Sequence, residues 1–183
     1  MIRTEAEQYL SSYLKTDVHI GFVYLGLPSL LVLENVHVKD HHQQPFLGIK
    51  SLLLSLENFS VDFSNLSLKT ISIYQPFFRL ITYRGEKHSN LDKMLEKFST
   101  KDTSRSGGGD LTLSLKKLEI DKGKLEIIDE NMKDSTSKDN IDFTHLNLND
   151  IVLRIKDIEI NNNAYKGFIE KLSLTEQRVG LKI

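Results

Sequence analysis

Cysteine and tryptophan are both absent from the 183 residues, and each absence removes a class of function. Without cysteine there is no disulfide framework, thiolate zinc site, iron–sulfur cluster or cysteine nucleophile. Without tryptophan a carbohydrate-binding module lacks its main stacking platform. Proline is scarce at 3 and glycine modest at 10, which excludes collagen-like repeats and proline-rich disorder. Neither sign of charge dominates: 24 Lys+Arg against 25 Asp+Glu leave a formal net charge of −1. Binding to nucleic acid calls for a basic excess or a basic stripe, so nucleic acid is not an expected partner. No run of about 18 apolar residues occurs, so no helical membrane span is expected. Met1 leads within a few residues to Glu5 and Glu7, so no signal peptide is expected either.

What is present is alternation. Hydrophobic residues make up 39%, and most of them recur with period two, the signature of strands. Only two segments read as helix. In the first, Thr4 and Glu7 have capping-box spacing, and Ala6, Tyr9, Leu10, Tyr13 and Leu14 form one apolar stripe. The second runs from Ser89 to about Phe98, capped by Ser89, with Leu91, Met94, Leu95 and Phe98 on one face.

Inside the alternation a longer unit repeats, h-x-h-x-x-h-x-h with h aliphatic. Val18, Ile20, Val23, Leu25 form one copy, and Leu31, Leu33, Val36, Val38 the next. Leu47, Ile49, Leu52, Leu54 follow, then Leu66, Leu68, Ile71, Ile73 and Leu113, Leu115, Leu118, Ile120. Leu146, Leu148, Ile151, Leu153 is overlapped by Leu153, Ile155, Ile158, Ile160. In a flat strand the two-residue gap would throw half of each apolar set onto the opposite face. A bulge or a corner restores a single face and bends the strand. Bends are therefore expected at 34–35, 50–51, 69–70, 116–117 and 149–150. Two short helices cannot cover so many strands, so the apolar face closes on itself or stays open as a groove.

Catalytic patterns do not emerge. There is no G-x-S-x-G, H-E-x-x-H or C-x-x-C, and an enzyme is not expected. His41 and His42 follow Asp40 on a turn; adjacent histidines are expected to point apart, no third ligand has suitable spacing, and no metal or other cofactor is assigned. Asp129-Glu130-Asn131 lacks the alternating ligands and glycine of a calcium loop and reads as a hairpin end. Tyr74-Gln75-Pro76-Phe77-Phe78 reads either as core aromatics beside a bulge proline or as an aromatic wall at the lip of a groove.

Residues 99–110 are polar and end in Gly107-Gly108-Gly109, so they read as a flexible linker. The expected organisation is a helix and first β unit with the second helix over 1–98, the linker, and a continuation of the β groove over 111–183. Val179, Leu181 and Ile183 still alternate at the last residue, as in a strand cut from something longer.

The order of elements carries a resemblance. An amphipathic helix ends in Tyr13-Leu14-Lys15-Thr16-Asp17-Val18-His19-Ile20-Gly21. Then come Leu31-Val32-Leu33-Glu34-Asn35-Val36-His37-Val38-Lys39-Asp40, Ile49-Lys50-Ser51-Leu52-Leu53-Leu54-Ser55-Leu56, the segment 66–76, and Asn90-Leu91-Asp92-Lys93. This resembles the N-terminal region of TamB/AsmA-like envelope proteins of Bacteroidota type, and the chorein N-terminal domain of bridge-like lipid transfer proteins. The resemblance implies a periplasmic, non-catalytic, taco-like β groove for phospholipid transport between inner and outer membrane. It implies attachment to the inner membrane through an anchor that this chain lacks, and contact with outer-membrane assembly machinery.

The expected fold is thus mostly β with two short helices: long, curved antiparallel strands forming a groove, with the N-terminal helix capping one end. Leu52, Leu54, Leu68, Ile71, Ile73, Leu113, Leu115, Leu118 and Ile120 are expected to line the groove against phospholipid acyl chains. Tyr9, Leu10, Tyr13 and Leu14 are expected to seat the end-cap helix. The alternatives are a scaffold for outer-membrane protein assembly or secretion by strand-edge pairing, and a closed β-sandwich interaction module.

Overall fold

Alternation over 9 to 18 residues builds strands far longer than the usual five or six. The structure, a computed structural model, describes residues 2–26, 29–56, 68–99, 112–134, 140–161, 164–177 and 179–183. Helix α1 (Ile2–Leu14) precedes strands β1 (Val18–Gly26), β2 (Leu30–Lys39), β3 (Pro45–Leu56) and β4 (Leu68–Thr82). Helix α2 (Asn90–Ser99) follows, then β5 (Thr112–Asp129), β6 (His145–Asn161) and β7 (Ala164–Glu176). All seven strands lie in one open sheet in sequence order. The fold is mostly β with two short helices, and among the described residues no second sheet faces the first, which counts against a closed sandwich.

One joint departs from the expected antiparallel order. β4 and β5 run parallel, in register from Thr70↔Lys117 to Thr82↔Asp129, while every other neighbour pair is antiparallel. The reason is the connection. A short hairpin forces antiparallel strands, whereas a crossover carrying a helix returns the chain to the starting end. The segments on either side of the expected linker thus share one sheet; of the linker expected at 99–110, Ser99 closes α2 and residues 100–110 lie outside the described residues.

The mid-unit gaps fall on two lines that cross the sheet. On the first, the ladders pass from Ile20↔Val36 to Phe22↔Glu34 and from Val36↔Ile49 to Glu34↔Ser51, skipping Gly21, Asn35 and Lys50. The line continues through Gln75, Lys122 and Asp150, which with Asn35 have φ near +50°. A left-handed residue inside a strand breaks the pleat and re-aims the side chains beyond it. The second line holds the irregularity between Ser55↔Thr70 and Leu56↔Leu68, the skipped Lys116, and Asp157 at φ 50°. The five expected bend positions all lie on these two creases.

Both helices sit on the aliphatic side of the first crease nearest the β2–β3 turn. Ala6, Leu10 and Leu14 of α1 and Leu91 and Met94 of α2 pack on Val18, Ile20, Val36, Val38, Phe46 and Ile49. The α1 stripe is therefore an i, i+4, i+8 line, narrower than expected. Tyr9 and Tyr13 stand off it, 61% and 51% exposed, and stack on each other with centroids 6.3 Å apart. Leu95 of α2 is also exposed, and the Phe98 side chain lies outside the described residues.

Helix α1 starts at Ile2, so Thr4 is inside it and the expected capping box does not form. Glu7 instead accepts a hydrogen bond from the Ile20 amide at 2.7 Å, and the Ser11 hydroxyl accepts one from Val18 at 3.1 Å. These amides face away from β2, so α1 blocks the free edge of β1. The second helix has its cap: Ser89 Oγ accepts from the Asp92 amide, and the Asp92 carboxylate accepts from the Ser89 amide at 2.9 Å.

Candidate functional site

Beyond the first crease the aliphatic residues fall into two rows that cross every strand. One row is Val23, Leu33, Leu52, Ile73, Ile120, Leu153 and Leu172, each the register partner of the next. The other is Leu25, Leu31, Leu54, Ile71, Leu118, Ile155 and Ile169. Register partners share a face, so the rows form a continuous apolar strip perpendicular to the strands. Six interstrand steps of about 4.8 Å give it a length of roughly 29 Å.

Exposure is greatest at the two edges of the strip. On β2 Leu33 is buried at 7%, while Leu25 at the β1 edge is 38% exposed and at the β7 edge Ile169 is 58% and Leu172 47% exposed. Leu52, Leu54, Ile71, Ile73, Leu118 and Ile120 are all part-buried. Part-burial is what a side chain shows when sheet neighbours flank it and no layer covers it.

The expected lining set is thus largely brought together, with two qualifications. Leu68 and Leu115 lie at the second crease, and Leu115 is buried at 4% rather than open. Leu113 continues β5 opposite Ile160, but its side chain lies outside the described residues. Leu153, Ile155, Ile169 and Leu172 belong to the strip as well and were not expected in the lining. The repeat did hold Leu153 and Ile155, so the signal was there for β6.

From β4 onward the opposite face is charged. Arg154 reaches Glu119 at 3.0 Å and Asp121 at 2.8 Å, and Lys117 reaches Glu119 at 2.8 Å. Lys117, more than any other neighbour, holds the Glu119 carboxyl below its ordinary range. Arg79 pairs with Glu126 at 3.1 Å, and Lys156 pairs with Glu170. Tyr74 sits on this face at the crease, between the ammonium groups of Lys50 and Lys122. It is no wall of the groove, whereas Phe78 packs in the core against Phe46, centroids 4.7 Å apart.

A buried polar knot fixes the covered end. Asp40, 2% exposed, accepts from Tyr83 Oη at 2.6 Å and Asn90 Nδ2 at 3.1 Å. It also accepts from the amides of His42 and Gln44 at 2.9 and 3.0 Å. Asn90 in turn binds the Arg79 carbonyl and the Ile81 amide, both at 3.0 Å. Burial pushes the Asp40 carboxyl up, but the bonds from Tyr83, Gln44, Asn90 and His42 outweigh it and leave the group below its ordinary range. Burial, and then the carboxylate of Asp40, push the Tyr83 phenol up. No family model, curated protein or solved structure matches the chain.

The histidine expectation is corrected. His41 and His42 do not diverge: both Nε2 atoms converge on Glu86, at 3.1 and 2.7 Å. The tight turn at 40–44, with Gln43 at φ 61°, brings both rings beside Tyr83. The third group comes from 44 residues further along the chain than His42, where spacing rules do not look.

Proposed function

We propose that this chain is part of a non-catalytic hydrophobic track that carries phospholipid acyl chains between inner and outer membrane in the periplasm, as the TamB/AsmA resemblance implies. The observation that supports it is the pair of aliphatic rows running unbroken across seven strands, with most of their side chains part-buried or exposed. A uniform strip offers many similar weak sites, each methylene withdrawn from water contributing about 0.8 kcal/mol. An acyl chain can slide along such a strip without leaving a deep well, while headgroups stay in water. Attachment to the inner membrane belongs to the same proposal.

The test is lipid capture. The chain is incubated with phosphatidylglycerol vesicles, re-isolated by gel filtration, extracted and analysed by mass spectrometry. Bound phospholipid in wild type and its loss in folded Leu118→Glu support the track. Lipid-free wild type, or undiminished lipid in the variant, refutes it.

A second reading has its own observation. The β7 edge keeps Phe168, Ile169 and Leu172 exposed, and among the described residues the tail pairs back along Leu174–Glu176 alone. A client strand in outer-membrane protein assembly could add there. Cross-linking from β7 to an outer-membrane protein, with no lipid captured, selects this reading.

A further inference from the structure

We propose that His41, His42 and Glu86 form a binding site for a divalent transition-metal ion, with zinc the best match to the ligands. The ligand atoms of the three side chains all lie within 4.8 Å of one another. Two ligands about 2.0–2.1 Å from a tetrahedral zinc stand roughly 3.3 Å apart. The pairs here are 3.1 Å for His41 Nε2 to Glu86 Oε2 and 2.7 Å for His42 Nε2 to Glu86 Oε1, so an ion enters with a few tenths of an ångström of opening. Three protein ligands leave the fourth position to water.

Each ligand is held from behind. The Asp40 carboxylate fixes the His42 amide at 2.9 Å and the Tyr83 hydroxyl at 2.6 Å. The Tyr83 ring then abuts both imidazoles, 4.1 Å from His42 and 5.6 Å from His41 between centroids. Glu86 rides on a turn at Gly85, whose φ is 84°. Asn131 clamps that turn, accepting from the Gly85 amide at 2.7 Å and donating to the Glu86 carbonyl at 3.0 Å. Such outer partners orient metal ligands and raise affinity.

The ligand types choose the ion. Two imidazoles and one carboxylate favour zinc, nickel or copper over magnesium and calcium, which take mainly oxygen. The other cluster, Asp134, Asp142 and His145, is the weaker candidate. There the Thr144 amide and hydroxyl already bind Asp142 at 2.9 and 2.6 Å, and the hydroxyl also bonds His145 Nδ1 at 3.0 Å.

The experiment is isothermal titration of the full chain with zinc chloride at neutral pH, with magnesium chloride as the contrast. One equivalent of zinc is expected to bind, with no response to magnesium. His42→Ala and Glu86→Gln should each weaken binding at least tenfold, Tyr83→Phe by roughly tenfold through lost positioning, and Asp142→Asn not at all. Circular dichroism establishes that each variant is folded, and Glu86→Gln keeps a hydrogen-bond acceptor for the rings if His42→Ala does not fold. Absence of zinc binding overturns the proposal and leaves a hydrogen-bonded histidine–glutamate cluster. So does binding that survives Glu86→Gln or disappears with Asp142→Asn.

Discussion

Asp40→Ala removes an acceptor that four donors share, and its cost follows from where those donors sit. The amides of His42 and Gln44 belong to an exposed turn and regain water. The Tyr83 hydroxyl and Asn90 Nδ2 do not, and a buried polar group left unpaired costs roughly 1–3 kcal/mol. Tyr83 is only part-buried and Asn90 keeps the Arg79 carbonyl, so the sum falls at about 2–4 kcal/mol. Asp40→Asn preserves shape and one acceptor and costs about half as much.

The two variants also differ from wild type in acid. The folded carboxyl lies below its ordinary value of 3.8, so its ionised form stabilises the fold fully above that value. The contribution fades as pH falls through the lower folded value. The gap between wild type and Asp40→Asn should stay level from neutral pH to about 5 and narrow below 3.8. Urea unfolding followed by tyrosine emission, free of tryptophan background, measures it. An Asp40→Ala variant within about 0.5 kcal/mol of wild type, or a gap that widens in acid, would refute the reasoning.

Three other outcomes are expected. Leu118→Glu should cost only about 1 kcal/mol, because a part-exposed leucine forfeits part of its burial energy, yet place in the strip a carboxylate that keeps its water or neutralises; a loss of several kcal/mol would indicate a sealed core instead. At the first crease Lys122→Gly should stabilise by up to about 1 kcal/mol by relieving a left-handed residue, and Asn35→Gly by less. Gly21→Ala should do the opposite, since its Cβ would meet Asn35 Cβ at 3.0 Å and the Glu34 carbonyl at 3.2 Å; chemical unfolding orders the three. Ser89→Ala should cost about 1 kcal/mol through the lost cap of α2, read as a lower melting temperature.

The aliphatic repeat makes the strands, the second crease and most of the strip legible in the sequence alone. Leu31, Leu33, Val36 and Val38 alone place a strand, its inner face and the bend at Asn35. The first crease in β4 and β5, at Gln75 and Lys122, was hidden because Pro76 and Gly123 stand where the unit expects aliphatics. The parallel joint was hidden because a helix and a long connection permit either strand direction. Tyr9 and Tyr13 misled because positions one residue before Leu10 and Leu14 lie only about 100° round the helix, near the stripe without being in it. Asp40 and Asn90 were visible as letters in two segments, and only the fold shows that they meet. The pairing of His41 and His42 with Glu86 has no local signature at all.

The creases give the sheet a grain. Ladder hydrogen bonds resist shear and stretching across the strands, but along the first crease six strands in a row lack a paired residue or carry a left-handed one. Bending about that line changes a few soft dihedrals and breaks no ladder bond. Bending about any line along the strands works against the full ladder. The compliant coordinate is thus the angle between the two sides of the crease, and the stiff one is the length of the strip. Under the proposed function, a cargo with one acyl chain or two is admitted by flexing the same floor, while the spacing of footholds along the strip stays constant.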